Sequence, residues 1–240
     1  MPLHDWTRGE DYAFHDFHLH WMVRLAAELN AGILPHPCYA LNETLELRPP
    51  TGLAELSEPD GPDTRVRWED ELRYDTPRAA FRATDDRRQY ACPIVTVRGE
   101  FHQPVAVILV VTRQDKTTPY RLDRITEFAV SALWGGIHLM LIDIFPPADR
   151  DPAGVHALVW GRINGNQCRQ PPGKPLTVAS YSAGSELTAY VEPLAVGDVL
   201  PEMPLFLTEQ GYVSLSLESA YQDSWHHFPA MLKEIIDPPA

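Results

Sequence analysis

The sequence predicts an α/β fold, with a mixed sheet built around a central βαβ unit and further helices packed on it. Three observations carry this expectation. Val105 to Thr112 is a continuous apolar run rich in β-branched residues, the pattern of a strand buried on both faces. Pro119 to Trp134 places Leu122, Ile125, Phe128, Ala129, Ala132 and Leu133 at helical spacing, so one face can lie on a sheet. Ile137 to Phe145 is a second apolar run of strand length. Strand, helix and strand with short connections form a right-handed crossover between parallel strands.

The remaining elements follow in chain order. Tyr12 to Asn30 reads as a helix, with Asp11 as N-cap and Gly32 just past its end. At about 100° per residue, Phe14, Phe17, Trp21, Met22, Leu25 and Leu29 share one face. His18 falls in the middle of that face and His15 at its edge, while Asp16, His20 and Arg24 point away. Tyr39 to Leu47 alternates as a strand or edge strand. Pro49 to Ala91 is polar and rich in Pro, Asp, Glu and Arg, which reads as a long excursion or lid, with a short strand at Val66 to Tyr74. Ile94 to Arg98 alternates as a strand and turns at Gly99. The central helix has Thr118 as cap, Pro119 at its first position and Gly135 at its end. Val155 to Trp160, Leu176 to Tyr181 and Leu187 to Pro193 read as sheet extension, with turns at Asn164-Gly165 and Ala183-Gly184-Ser185. Pro193 to Pro204 reads as loop. Leu215 to Ile236 reads as a C-terminal helix broken near Pro229.

Composition narrows the functional classes. At 240 residues the chain fits one domain, residues 1–240, better than two. The formal charge is 20 − 33 = −13, which repels phosphate backbones and acidic membranes, so nucleic acid is not the expected partner. Cys38, Cys92 and Cys168 are an odd number without C-x-x-C spacing, which argues against a disulfide framework and a zinc knuckle. The start Met1-Pro2-Leu3-His4-Asp5-Trp6 lacks the features of a signal peptide, and no apolar run reaches the roughly 18 residues of a membrane span. A cytoplasmic protein is expected. Its default assembly is with a protein partner or as a homodimer. No Gly-rich phosphate loop, G-x-S-x-G elbow or H-E-x-x-H motif occurs.

Three stretches together resemble one family. They are Met1-Pro2-Leu3-His4-Asp5-Trp6 with Phe14-His15-Asp16-Phe17-His18, then Gly136-Ile137-His138-Leu139 through Asp143-Ile144-Phe145-Pro146-Pro147, then Tyr190-Val191-Glu192-Pro193-Leu194. The chain resembles the domain of unknown function 4058 family of uncharacterised bacterial proteins, from Met1 to about Phe228. That family's pattern is similar to the PD-(D/E)-x-K nuclease-like superfamily, which implies a restriction-endonuclease-like core and carboxylates with a lysine for Mg²⁺- or Mn²⁺-dependent phosphodiester cleavage. This chain departs from the pattern at the centre. Leu109 stands where the strand glutamate aligns, and Thr112, Arg113 and Asp115 replace Ser, Pro and Asn. Lys116 is kept and Glu43 matches a family glutamate. No Asp follows proline near Arg48-Pro49-Pro50-Thr51. Asp115, Glu46 and Glu55 are the carboxylates available to replace the missing ligand.

The leading expectation is therefore a non-catalytic binding or interaction protein on a degenerate nuclease-like fold. The alternative is a metal-dependent hydrolase with rearranged ligands Glu43, Asp115, Lys116 and Asp143, using Mg²⁺ or Mn²⁺. A third reading is a metal site on His4, His15 and His18, because histidine is a common metal ligand. Its bland counterpart is a hydrogen-bonded core histidine at position 18 and a His15 that pins the N-terminal arm. Asp115 and Lys116 have the bland alternative of solvated turn residues. Asp143, in an apolar strand, needs a donor or a cation if it is buried.

Overall fold

The structure, a computed structural model, describes residues 3–47, 90–165 and 168–238. Six strands form one sheet in chain order: β1 (Tyr39–Leu47), β2 (Tyr90–Arg98), β3 (Pro104–Val111), β4 (His138–Asp143), β5 (Leu176–Ser182) and β6 (Thr188–Leu194). Neighbours pair antiparallel except β3 and β4, which are parallel, with Ala106 opposite His138 and Val111 opposite Asp143. Helix α1 (Asp11–Glu28) precedes the sheet, and α2 (Pro119–Trp134) is the crossover helix of the βαβ unit, linking β3 to β4. Thr118 caps α2 by accepting from the Arg121 N–H, and Gly135 closes it. The mixed α/β architecture expected from the sequence is the one observed.

Strand alternation divides the core in two. Val95, Val97, Ile108, Val110, Met140, Ile142 and Val178 face one side, where α1 packs with α4 (Leu217–His227) and α5 (Ala230–Ile236). Ile94, Val107, Leu109, Val111, Leu139, Leu141 and Ala179 face the other, where α2 packs with α3 (Gly154–Asn164). Because β3 and β4 are covered on both faces, they read as unbroken apolar runs. The expected face of α1 is buried throughout, and the C-terminal helix is broken at Pro229 as the sequence predicts.

Four local expectations are corrected. Val155 to Trp160 belongs to α3 and is not a strand. Val155 and Val159 are four residues apart and both buried, a helical spacing that a six-residue apolar window does not separate from a strand. Asn164-Gly165 ends that helix, with Gly165 at φ 74° as a left-handed cap. Pro193 to Pro204 and the following residues hold a hairpin, β7 (Glu202–Phe206) with β8 (Tyr212–Ser216), because Met203, Leu205 and Leu215 alternate into the core. Asp11 is inside α1 rather than its cap, which is Glu10. The short strand at Val66 to Tyr74, and nearly all of the polar excursion, lie outside the described residues.

The N-terminal arm is fastened to α4 by one hydroxyl. Tyr221 Oη accepts from the His4 backbone N–H at 3.2 Å and from Trp6 Nε1–H at 2.9 Å. Two donors use both lone pairs, so the hydroxyl proton goes to His4 Nδ1, 2.9 Å away. His4 is thereby fixed as the neutral tautomer with its proton on Nε2. Burial, against the opposing charge of Asp237, brings its pKa down to about 4. His18 is also buried, stacks parallel to Phe14 at 5.8 Å, and has no partner for either ring nitrogen among the described residues. Burial, then the charge of His15, lowers its pKa to about 4.

A histidine lowered in the fold binds its proton more weakly there than in the unfolded chain. Its contribution is complete above the unfolded value near 6.5 and is lost as pH falls toward 4. Urea unfolding of the wild-type chain therefore loses stability between pH 7 and pH 4.5. For His18→Phe the loss is expected to be smaller by about 2 kcal/mol, and identical pH slopes for the two proteins would refute the buried-neutral assignment.

Candidate functional site

The site grows from the ends of the two parallel strands. After Val111 the chain makes a 3-10 turn, Arg113–Lys116, closed by a capping box between Thr112 and Asp115. Asp115 Oδ2 accepts from the Thr112 N–H at 2.6 Å and from its hydroxyl at 2.9 Å. This locks the turn so that Lys116 is directed inward. β4 ends at Asp143, and the loop that follows brings Asp151 back beneath it, with Asp151 Oδ1 accepting from the Ala148 N–H at 2.9 Å.

Lys116 fills the space between them. Its Nζ lies 2.8 Å from Asp143 Oδ1, 3.0 Å from Asp143 Oδ2 and 2.9 Å from Asp151 Oδ2. It also donates to the carbonyl oxygens of Phe145 at 2.9 Å and Pro146 at 3.5 Å. Asp143 Oδ2 accepts the Val155 N–H at 3.1 Å, within the first turn of α3. That helix has no side-chain cap of its own, so the carboxylate of β4 supplies the negative charge its N-terminus favours. Lys116, Asp115, Asp143 and Asp151 are all buried.

Electrostatics follow from this geometry. Burial alone opposes the ammonium, but Asp143 and then Asp151 outweigh it and hold Lys116 above the ordinary lysine range. A lysine so held is neither a base nor a nucleophile near neutral pH. Burial also pushes Asp143 upward, against the pull of Lys116. Asp115 is different: burial pushes it up to about 7, although the Thr112 N–H pulls it down, and its Oδ1 has no partner among the described residues. A small open pocket adjoins the centre, lined by Thr7, Arg113, Lys116, Phe145 and Pro147 among others. Its arginine is already engaged, donating to Thr7 O at 2.9 Å and lying 5.8 Å over the Phe145 ring.

The candidates named from the sequence separate cleanly. Asp115, Lys116 and Asp143 come together, so the reading of Asp115 and Lys116 as solvated turn residues is overturned. Glu43 does not join them. It lies on edge strand β1, where Arg98 donates to its Oε1 at 2.9 and 2.8 Å, and the same arginine reaches His102 O at the β2–β3 turn. That turn precedes β3, at the opposite end of the strand from Lys116. Leu109 is fully buried against the layer of α2 and α3. Glu46 sits in β1 opposite Ala91, and Glu55 lies outside the described residues.

His4, His15 and His18 form no common site. His4 is fastened to Tyr221, His18 is inside the core and His15 on the same helix is exposed. Among the described residues no group of three or more His, Cys, Asp or Glu side chains is placed to hold a metal ion. The expectation of a hydrogen-bonded nitrogen on His18 is not met either, since its contacts are apolar and aromatic.

Asp151 is the residue the sequence reading missed. Its signal was present: an Asp shortly before a helix start, in a loop bounded by Pro147 and Pro152. It was hidden because the segment after it reads as a strand. Compared with known proteins, the chain matches no family model, no curated protein and no solved structure.

Two substitutions report on the centre. Lys116→Met leaves two buried carboxylates without their cation and is expected to cost about 3–5 kcal/mol in urea unfolding; a loss below about 1 kcal/mol would show that the ammonium is not buried as described. Asp115 is raised in the fold, so its burial cost is absent below its unfolded value and grows as pH rises toward 7. Asp115→Asn should leave stability little changed at pH 4 and raise it relative to wild type at pH 8, and a constant difference across that range would contradict the assignment.

Proposed function

We propose that this chain is a non-catalytic binding or interaction protein on a degenerate nuclease-like core. One observation carries the reading: the ammonium of Lys116 occupies the space between Asp143, Asp151 and two backbone carbonyls, the oxygens that a divalent cation would have to take over. Five oxygens around one buried charge are a site already filled by the protein's own cation. A Mg²⁺ or Mn²⁺ ion would have to displace that ammonium from two carboxylates, at the cost of separating a buried ion pair. Leu109 adds to this, since an aliphatic side chain in the central strand cannot ligate a metal.

The hydrolase alternative draws on the gathering of Asp115, Lys116 and Asp143. Among the described residues it lacks a free ligand set, because Glu43 is bound to Arg98, and Lys116 cannot serve as its base, because it is held in its charged form. The excess of acidic residues further disfavours a polyanionic substrate. The family resemblance enters as support for nuclease-like ancestry only, since fold analogy does not carry function.

The test is thermal unfolding of metal-stripped protein with added Mg²⁺, Mn²⁺ or Zn²⁺. A ligand at about 100 times its Kd stabilises by roughly 2.7 kcal/mol, several degrees for a chain of this size. No shift is expected for wild type, whereas Mn²⁺ should restore several degrees to Lys116→Ala, in which the oxygens are vacated. A wild-type shift with Mg²⁺ or Mn²⁺ that disappears in Asp143→Asn would overturn the proposal in favour of the hydrolase.

A further inference from the structure

Away from the Lys116 centre, a cleft of about 430 Å³ opens between edge strand β6 and the outer face of the β7–β8 hairpin. Its chemistry follows from alternation. Met203, Leu205 and Leu215 point into the core, so Glu202, Pro204, Phe206, Tyr212 and Ser214 point out, with Phe206 paired to Tyr212 and Pro204 to Ser214. From β6, Tyr190 stacks on Phe206 with centroids 5.3 Å apart and planes at 29°. Tyr212 meets the same ring edge-on at 5.5 Å. Phe206 is buried beneath its neighbours, but Tyr190 and Tyr212 are 49% and 59% exposed. Aromatic rings grouped in this way at a surface mark a binding site more often than rings scattered singly.

The charge at the cleft selects the ligand. Glu202 stands on its wall, its carboxylate held by the Ser214 hydroxyl at 2.6 Å, and exposed Glu192 is two residues from Tyr190 on the same face of β6. Among the described residues, the cations that lie over aromatic rings do so at Phe145, Tyr120 and Trp225 and not at these three. The cleft thus offers negative ring faces and a carboxylate without a basic side chain over the rings. A hard metal ion needs several oxygen ligands, whereas a weakly hydrated alkylated ammonium gains most from ring faces and needs only one counter-charge. We infer that this cleft binds a small organic cation of the quaternary-ammonium type, with Tyr190 and Tyr212 contacting its alkyl groups over the supporting ring of Phe206 and Glu202 neutralising its charge. The inference goes beyond the reading of the Lys116 centre and does not depend on it, since the two share no residue.

Calorimetric titration of the full chain with choline, and with its neutral carbon isostere 3,3-dimethyl-1-butanol, tests it. Choline should bind saturably and the isostere about tenfold more weakly or worse. Glu202→Gln should weaken choline about tenfold, and Tyr212→Leu should remove measurable binding. Both variants change exposed side chains and should keep the wild-type melting temperature, and binding lost without a change in melting confirms that the cleft itself is the site. Equal affinity for the isostere would reduce the cleft to an apolar patch, and no saturable choline binding at millimolar concentrations would overturn the inference outright. Neither result bears on the metal-unfolding test at Lys116.

Discussion

The buried ammonium of Lys116 is the contact on which the far end of the sheet depends. It joins the 3-10 turn after β3 to two segments further along the chain, the last residue of β4 and the loop that leads into α3. Asp143 then passes the connection to α3 itself through the Val155 N–H. Taking these charges out of water is costly, and apolar replacements of a whole buried ion pair are often no less stable. What the arrangement supplies is position. Directed ion pairs and carbonyl contacts fix where the turn, the strand end and the helix start lie relative to one another, which apolar packing alone does less specifically.

The two faces of the sheet have different polar chemistry for the same underlying reason. Both are buried, so each polar group in them is paired or neutral at least cost. On the α2–α3 side the solution is pairing, with Lys116 among carboxylates. On the α1–α4 side the solution is neutrality. His4 is held as an acceptor by the Tyr221 hydroxyl, and His18 rests uncharged against Phe14. His156, on α3, combines the two: its Nδ1 meets the Tyr181 hydroxyl at 2.6 Å, and burial brings its pKa down to about 4.

Much of the fold was legible because it rests on local pattern. The apolar face of α1, the Thr118-Pro119 start and Gly135 end of α2, and the unbroken strands β3 and β4 each follow from spacing, capping or β-branching within one segment. Where pattern was short the reading failed. Val155 to Trp160 is too brief to separate two periodicities, and the β7–β8 hairpin carries its alternation across proline residues that read as loop. Of the site, Asp143 was legible as a carboxylate in an apolar strand that had to be satisfied, and Lys116 was legible only through a resemblance.

The class of fold, the place of His18 on an apolar helix face and the leucine at position 109 were already written in local sequence, since each is a property of a single segment. Tertiary structure decided which charges meet. Glu43 and Asp143 are equally carboxylates on strands, yet one pairs with Arg98 at the β2–β3 end and the other with Lys116 at the far end of the sheet. Asp151 enters only because the loop after β4 folds back on the strand end. Charge pairing acts over a few ångströms and is indifferent to sequence separation, so it becomes readable only once the sheet has set the distances.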